Sequence, residues 1–135
     1  MKIKFVLFLM LSALIVSCGN QTKLEVKQPG DAVLDIPERV EMGDIGEPHF
    51  KKFVDVKFKN TGTDTLYIFA VVPECDCTEV QIMDKVVAPK KEGFLRAYLD
   101  LTDSPYAVEN EKRFYVVSNN KYAKEVYVTL VGTKK

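Results

Sequence analysis

Apolar and polar residues alternate along much of this chain with a period of two. Val54, Val56 and Phe58 alternate with Asp55, Lys57 and Lys59, which gives an extended segment one apolar face. Leu95, Ala97, Leu99 and Leu101 do the same against Arg96, Tyr98 and Asp100, and Val126, Val128 and Leu130 against Tyr127, Thr129 and Val131. Leu66 to Val72 is an unbroken apolar run ending at Pro73, the pattern of a strand buried on both faces. Val80 and Ile82 mark a short strand, and Arg113 to Ser118 is rich in aromatic and β-branched residues. Turn signals separate these segments. In Asn60-Thr61-Gly62-Thr63-Asp64-Thr65 the Asn, Asp and Gly residues tolerate or supply positive φ, and Ser118-Asn119-Asn120-Lys121 turns the chain again. No segment beyond residue 32 carries a sustained helical period with caps. The expectation is an all-β domain over 32–135, an immunoglobulin-like antiparallel β-sandwich. It is not the antibody type, which bridges its sheets with two well-separated cysteines around a tryptophan. Tryptophan is absent here, and the cysteines within the domain are the near neighbours Cys75 and Cys77.

The first residues follow another pattern. Met1-Lys2-Ile3-Lys4 is positively charged, and the 12 residues from Phe5 to Val16 are apolar apart from Ser12. That length suits a secretory signal and falls well short of the about 20 residues that a membrane-spanning helix needs. Leu14-Ile15-Val16-Ser17-Cys18-Gly19 resembles a bacterial lipobox, with aliphatic residues, a small residue and then cysteine. In lipoproteins of that kind the cysteine thiol takes a diacylglyceryl group, and cleavage makes it the new N-terminus. Acyl chains, at about 0.8 kcal/mol per buried methylene, would then hold the domain on a membrane. Residues 18–31 are polar, close on Pro29-Gly30-Asp31, and read as a tether with roughly 20 Å of reach. No acidic cluster follows Cys18, which favours the periplasmic side over the cell surface. The expected organisation is a signal peptide over 1–17, a tether over 18–31 and the sandwich over 32–135, in the bacterial cell envelope.

Composition narrows the function classes. A length of 135 residues leaves no room for two comfortable cores, and an apolar fraction of 47% is that of a folded chain. Lys+Arg and Asp+Glu balance at 19 each, so there is no surplus of cations to displace phosphate counterions, and no nucleic-acid partner is expected. Removing Met1 to Ser17 takes away Lys2 and Lys4 and turns the mature chain slightly acidic. The one histidine, His49 in Gly46-Glu47-Pro48-His49-Phe50, reads as a solvated turn residue.

Several motifs together carry a family resemblance. Phe58-Lys59-Asn60-Thr61-Gly62, then Leu66-Tyr67-Ile68, then Cys75-Asp76-Cys77-Thr78 resembles a bacterial exported family known as domain of unknown function 1573. The family pattern runs Phe-x-Asn-Thr-Gly, an apolar strand, Cys-Gly-Cys-Thr, a Pro-rich turn ending in Glu-x-Gly, and a late strand ending in Ser-Asn. Pro89, Glu92 and Gly93 match that turn loosely, and Val116-Val117-Ser118-Asn119 matches the late strand. Asp76 departs from the usual glycine, and Lys91 stands at a position that is often small. The likeness extends over roughly Val40 to Gly132. It implies an immunoglobulin-like fold similar to the modules of ciliary and spindle-pole proteins, and an exported location, but no activity.

Chemistry concentrates in Pro73-Glu74-Cys75-Asp76-Cys77-Thr78. In an oxidising compartment two thiols this close tend to be oxidised or metal-bound. A disulfide here would close a very small ring, and strained disulfides are the more exchangeable ones. Against exchange, no basic residue lies within the motif, and Glu74 and Asp76 disfavour a thiolate. Two thiolates also suit Cu(I), with Met83 or His49 as a third ligand, but they make only half of a closed zinc site. The preferred reading is structural, a small hairpin staple or two reduced half-buried thiols, with redox exchange or copper binding as alternatives. Glu109-Asn110-Glu111 reads as a solvated loop. Tyr98, Tyr106, Tyr115, Tyr122 and Tyr127 read as strand formers that would line a ligand face only if they shared one side of a sheet. No phosphate loop, nucleophile elbow or zinc helix motif is present.

The function expected from these features is a lipid-anchored envelope protein whose sandwich binds or scaffolds an envelope partner without catalysis or cofactor. The alternative is a thiol–disulfide redox or copper-binding protein acting through Cys75 and Cys77.

Overall fold

The computed structural model describes residues 30–45, 51–104 and 108–134. Among them are nine strands and no helix: β1 (Leu34–Asp35), β2 (Arg39–Asp44), β3 (Lys52–Asn60), β4 (Leu66–Pro73), β5 (Thr78–Ile82), β6 (Val86–Val87), β7 (Glu92–Leu99), β8 (Glu109–Ser118) and β9 (Glu125–Thr133). No helix there is long and apolar enough to cross a membrane. One sheet has the order β1-β3-β7-β5 and the other β2-β9-β8-β4-β6. These orders correspond to the ABED and GFC sheets of immunoglobulin-like sandwiches, with β2 and β6 as the added edges of the second sheet.

The alternation in the sequence builds this core directly. Val56 and Phe58 of β3, Leu95, Ala97 and Leu99 of β7, Phe114 and Val116 of β8, and Val128 and Leu130 of β9 all point inward and are buried. Each sheet supplies one apolar layer, and the two interdigitate. The sandwich is not wholly antiparallel, because β2 runs parallel to β9, with Arg39 opposite Thr129 and Val40 opposite Leu130. A register break between Glu41 and Gly43, with Gly43 at φ 65°, turns Met42 into the core. The pattern of the sequence did not single out β1, β2 or β6.

Two readings are corrected. The Leu66–Val72 run is not buried on both faces. Ile68 pairs with Ser118 and Ala70 with Val117, so Phe69 is the extra residue of a β-bulge and is 57% exposed. Tyr67 faces out as well. Glu109-Asn110-Glu111 is not a loop: it begins β8, and its two carboxylates pair with a guanidinium that lies 70 and 72 residues upstream.

Polar side chains close the ends of the strands. Asn60 is fully buried, donates from Nδ2 to the carbonyls of Asp64 (2.8 Å) and Val87 (3.0 Å), and accepts at Oδ1 from the amides of Gly62 (3.0 Å) and Val33 (3.3 Å). Asn120 likewise accepts from Leu34 N–H and donates to the Ala123 carbonyl. Asn119 accepts from Tyr67 N–H and donates to the Thr65 carbonyl. Asp31 is already docked on the sandwich, because its carbonyl accepts from Thr63 and Asp64 N–H.

Candidate functional site

The Cys75–Cys77 turn joins β4 to β5, where the chain crosses from one sheet to the other at an end of the sandwich. The two sulfurs are bonded as a disulfide, with the Cα atoms 5.3 Å apart. Both neighbouring sheets hold the turn: Glu74 N–H donates to the Arg113 carbonyl of β8, and Asp100 N–H donates to the Cys77 carbonyl. Thr78 follows, with its hydroxyl buried beneath the sulfurs, 3.4 Å from Cys75 Sγ and 3.8 Å from Cys77 Sγ. Since disulfide sulfurs carry no proton, this hydroxyl is the donor.

Two clefts flank the disulfide. One of about 410 Å³ opens beside Cys77 and is lined by Asp76, Asp100, Thr102, Asp103, Ser104 and Lys112. Another of about 320 Å³ opens beside Cys75 and is lined by Glu74, Glu111, Lys112 and Arg113. Lys112 borders both. It shares the inward parity of Phe114 and Val116, but sits where β8 runs past the core, so its chain enters the mouth of the sandwich. Lys112 has no hydrogen-bond or ion-pair partner among the described residues, whereas Arg113 Nε donates to Glu74 Oε2 at 2.9 Å. The wall of the larger cleft is tied down from the far end of the chain: buried Lys134 donates to the carbonyls of Thr102 (2.6 Å) and Ser104 (3.3 Å). The acidic character of the motif in the sequence is therefore offset in space by two cations from β8.

Other candidates are dispersed. Met83 follows β5 at the end opposite the cysteines, and the sulfurs that would share a metal with it are bonded to one another. Among the described residues no group of three or more His, Cys, Asp or Glu converges on one point. Cys18, His49 and Tyr106 lie outside the described residues. The other tyrosines do not share a face. Tyr98 packs on Phe53 (5.9 Å between ring centres) outside the four-stranded sheet, Tyr115 packs on Tyr127 (5.6 Å) outside the five-stranded sheet, and Tyr122 is in a turn.

The outer face of the five-stranded sheet divides in two. Toward β2 it is charged: Arg39 donates to Glu41 (2.7 Å), Glu109 (2.8 Å) and Glu111, and these carboxylates hold the guanidinium firmly protonated, above its ordinary value. Toward β4 and β6 it is apolar, with Tyr67, Phe69 and Val86 all 45% exposed or more, whereas exposed Tyr127 lies on β9, beside β2. Sequence periodicity missed this patch because the bulge at Phe69 breaks the alternation that would have announced it.

A model for proteins of unknown function, DUF1573, matches residues 37–133. The chain belongs to this family. In this DUF1573 member the signature residues serve structure: Asn60, Ser118 and Asn119 bond to backbone at strand ends, and a side chain at Gly62 would stand 2.1 Å from the Asp31 carbonyl oxygen. No curated protein sequence matches the chain. Among solved structures, a protein of unknown function from Porphyromonas gingivalis W83 is similar, with a TM-score of 0.66 at 12% identity over 76% of this chain and 47% of that one. The VesB protease of Vibrio cholerae gives a TM-score of 0.56 at 11% identity over 74% and 31% of the two chains. The periplasmic chaperone SfaE gives 0.55 at 17% identity over 77% and 57%. Likeness at such identities is one of fold alone, and the chain spans less than two thirds of each of these structures.

Proposed function

We propose that this DUF1573 chain is a lipid-anchored protein of the bacterial envelope, held through Cys18 and facing the periplasm, whose sandwich binds or scaffolds another envelope protein without catalysis. The observation that carries the binding role is the apolar patch of Tyr67, Phe69 and Val86 on the β4–β6 side of the outer face of the five-stranded sheet. A scattered exposed aromatic is ordinary, but several on one sheet face leave apolar area that a partner would cover. The signal sequence and lipobox support the location. To test the role, the full chain and its Phe69→Ser and Tyr67→Ser variants are cross-linked in envelope membranes. A specific adduct formed by the parent and lost in both folded variants is expected; equal adducts from all three would sink the reading.

A second reading is supported by the disulfide itself, which lies between two open clefts at the end of the sandwich. On that reading the pair exchanges electrons with a dithiol partner.

A further inference from the structure

The first described residues are fastened to one end of the sandwich. Asp31 N–H donates to Thr63 Oγ1 (3.2 Å), and the Asp31 carbonyl accepts from Thr63 N–H (2.8 Å) and Asp64 N–H (3.2 Å). The Asp31 carboxylate pairs with Lys121 Nζ at 2.5 Å, and Lys121 N–H donates to the Ala32 carbonyl. Turns 61–65 and 119–124 therefore grip the same stretch of chain. Turn 88–91 joins them, because Lys90 donates from its backbone to the Asn60 carbonyl and from Nζ to the Thr61 carbonyl. The disulfide is at the other end. β4 starts just after turn 61–65, and its eight residues, at about 3.4 Å each, carry the chain about 25 Å toward Cys75.

Tyr122 stands in turn 119–124 at the fastened end and is 77% exposed, more than any other large hydrophobic residue described. Lys121 Nζ lies 5.9 Å from its ring centre, and Lys124 is exposed beside it. The three turns and the entering chain carry Lys90, Lys91, Lys121 and Lys124 against Asp31 and Asp64, and Glu92 and Glu125 at the adjoining strand starts bring this end close to neutral. Net charge thus does not draw it to an anionic surface. What it offers is a projecting phenol ring between lysine stems, side chains that settle in a headgroup layer.

We propose that Tyr122 rests in the headgroup layer of the membrane to which Cys18 is anchored, so that the domain stands with its disulfide end turned away from the bilayer. The proposal rests on the lipid-anchor reading above. Gly30 follows Cys18 by 12 residues, and a chain of that length reaches roughly 20 Å as a coil and at most about 40 Å fully extended. The fastened end is thereby kept within a coil's reach of the bilayer. Bringing the disulfide end there instead requires the linker to span the length of the sandwich first, which uses most of its extension and costs chain entropy. A lone exposed tyrosine is ordinary on a free surface and does not hold a free domain on a membrane. Tethering changes the balance, because a short linker raises the effective concentration of the turn at the surface until a weak contact is populated. In this stance a partner reaches the disulfide from the periplasmic solution, not from within the bilayer.

The chain has no tryptophan, so a single introduced one reports alone. Full-length lipoprotein is purified from membranes as Tyr122→Trp and, separately, as Asp103→Trp in the cleft beside Cys77. Each is placed in vesicles of phosphatidylethanolamine and phosphatidylglycerol that contain a headgroup-nitroxide lipid. Blue-shifted emission and quenching at position 122, with neither at 103, are expected. Equal quenching at both positions, quenching at 103 alone, or none at either overturns the stance and leaves the anchor standing, since the protein is still vesicle-bound. Protein that never partitions with membranes overturns both. Tyr122→Trp combined with Cys18→Ser should lose the quenching, and quenching as strong as in the lipoprotein would overturn the dependence on the anchor. The parent protein gives a second readout. Amide exchange in 119–124 should be slower on vesicles than in the soluble Cys18→Ser chain, and unchanged exchange there overturns the contact.

Discussion

Asn60 shows how much a single side chain can hold. It lies at the end of β3, fully buried, and its amide satisfies four backbone groups drawn from three separate stretches of chain. Removing it would leave several buried donors and acceptors without partners, each costing about 1–3 kcal/mol. Asn60→Ala is therefore expected to lower stability by roughly 3 kcal/mol, read as a lower urea midpoint with little change in slope. An effect under about 0.5 kcal/mol would mean that water replaces the amide without loss. Asn-Thr-Gly was legible in the sequence as turn chemistry. That its first residue reaches back to Val33 and forward to Val87 was not, because those partners are set by strand register, not by neighbours in the chain.

At the scale of elements, alternation revealed β3, β7 and β9 correctly, since each has one face in the core and one in water. It failed where geometry departs from a period of two. The bulge at Phe69 turned an apolar run into a one-sided strand, and the polar start of β8 looked like a loop because Arg39, its partner, belongs to β2. Lys112 escaped notice for the same reason: a lysine with inward parity is explained only when the strand outruns the core. Between β3 and β7 the pairing of Asp55 with Arg96 gives a checkable consequence. Arg96 donates to Asp55 from Nε (2.7 Å) and Nη2 (3.0 Å), and this bonding holds the carboxyl below its ordinary value and the guanidinium above its own. A carboxyl whose folded value is depressed adds stability above the unfolded value of about 3.9, and that contribution fades as pH falls through the folded value. Asp55→Asn should therefore flatten the acid limb of Tm measured from about pH 5 to about pH 2, while Glu79→Gln serves as an exposed control. Parallel acid limbs in the parent and Asp55→Asn would show that the pair contributes nothing.

For the molecule as a whole, the apolar patch and the disulfide lie in different places, one on the outer face of the five-stranded sheet and one at the end where the chain changes sheets. Loss of binding and loss of exchange can thus be separated by mutation. The fold class and the family were readable from period and motif, because both are written in local spacing. The cation pair beside the cysteines was not, because Lys112 and Arg113 meet the motif only after β8 has aligned with β4. Attachment to the membrane is proposed to rest on Cys18 alone. Cys18→Ser should move the protein from the membrane to the soluble envelope fraction, and continued membrane partitioning would remove the lipid anchor from the account.

The parallel seam between β2 and β9 bears on when this molecule can fold. Arg39 waits opposite Thr129 and Asp44 opposite Thr133, so the second strand has no lasting neighbour until the final one exists. A chain delivered N-terminus first would hold β2 unzipped throughout its emergence, with Met42 still exposed. Such long-range closure is slow and comes late in assembly. The period before that closure is when a chaperone or a mispairing neighbour would meet this strand, and it ends only when the last residues arrive.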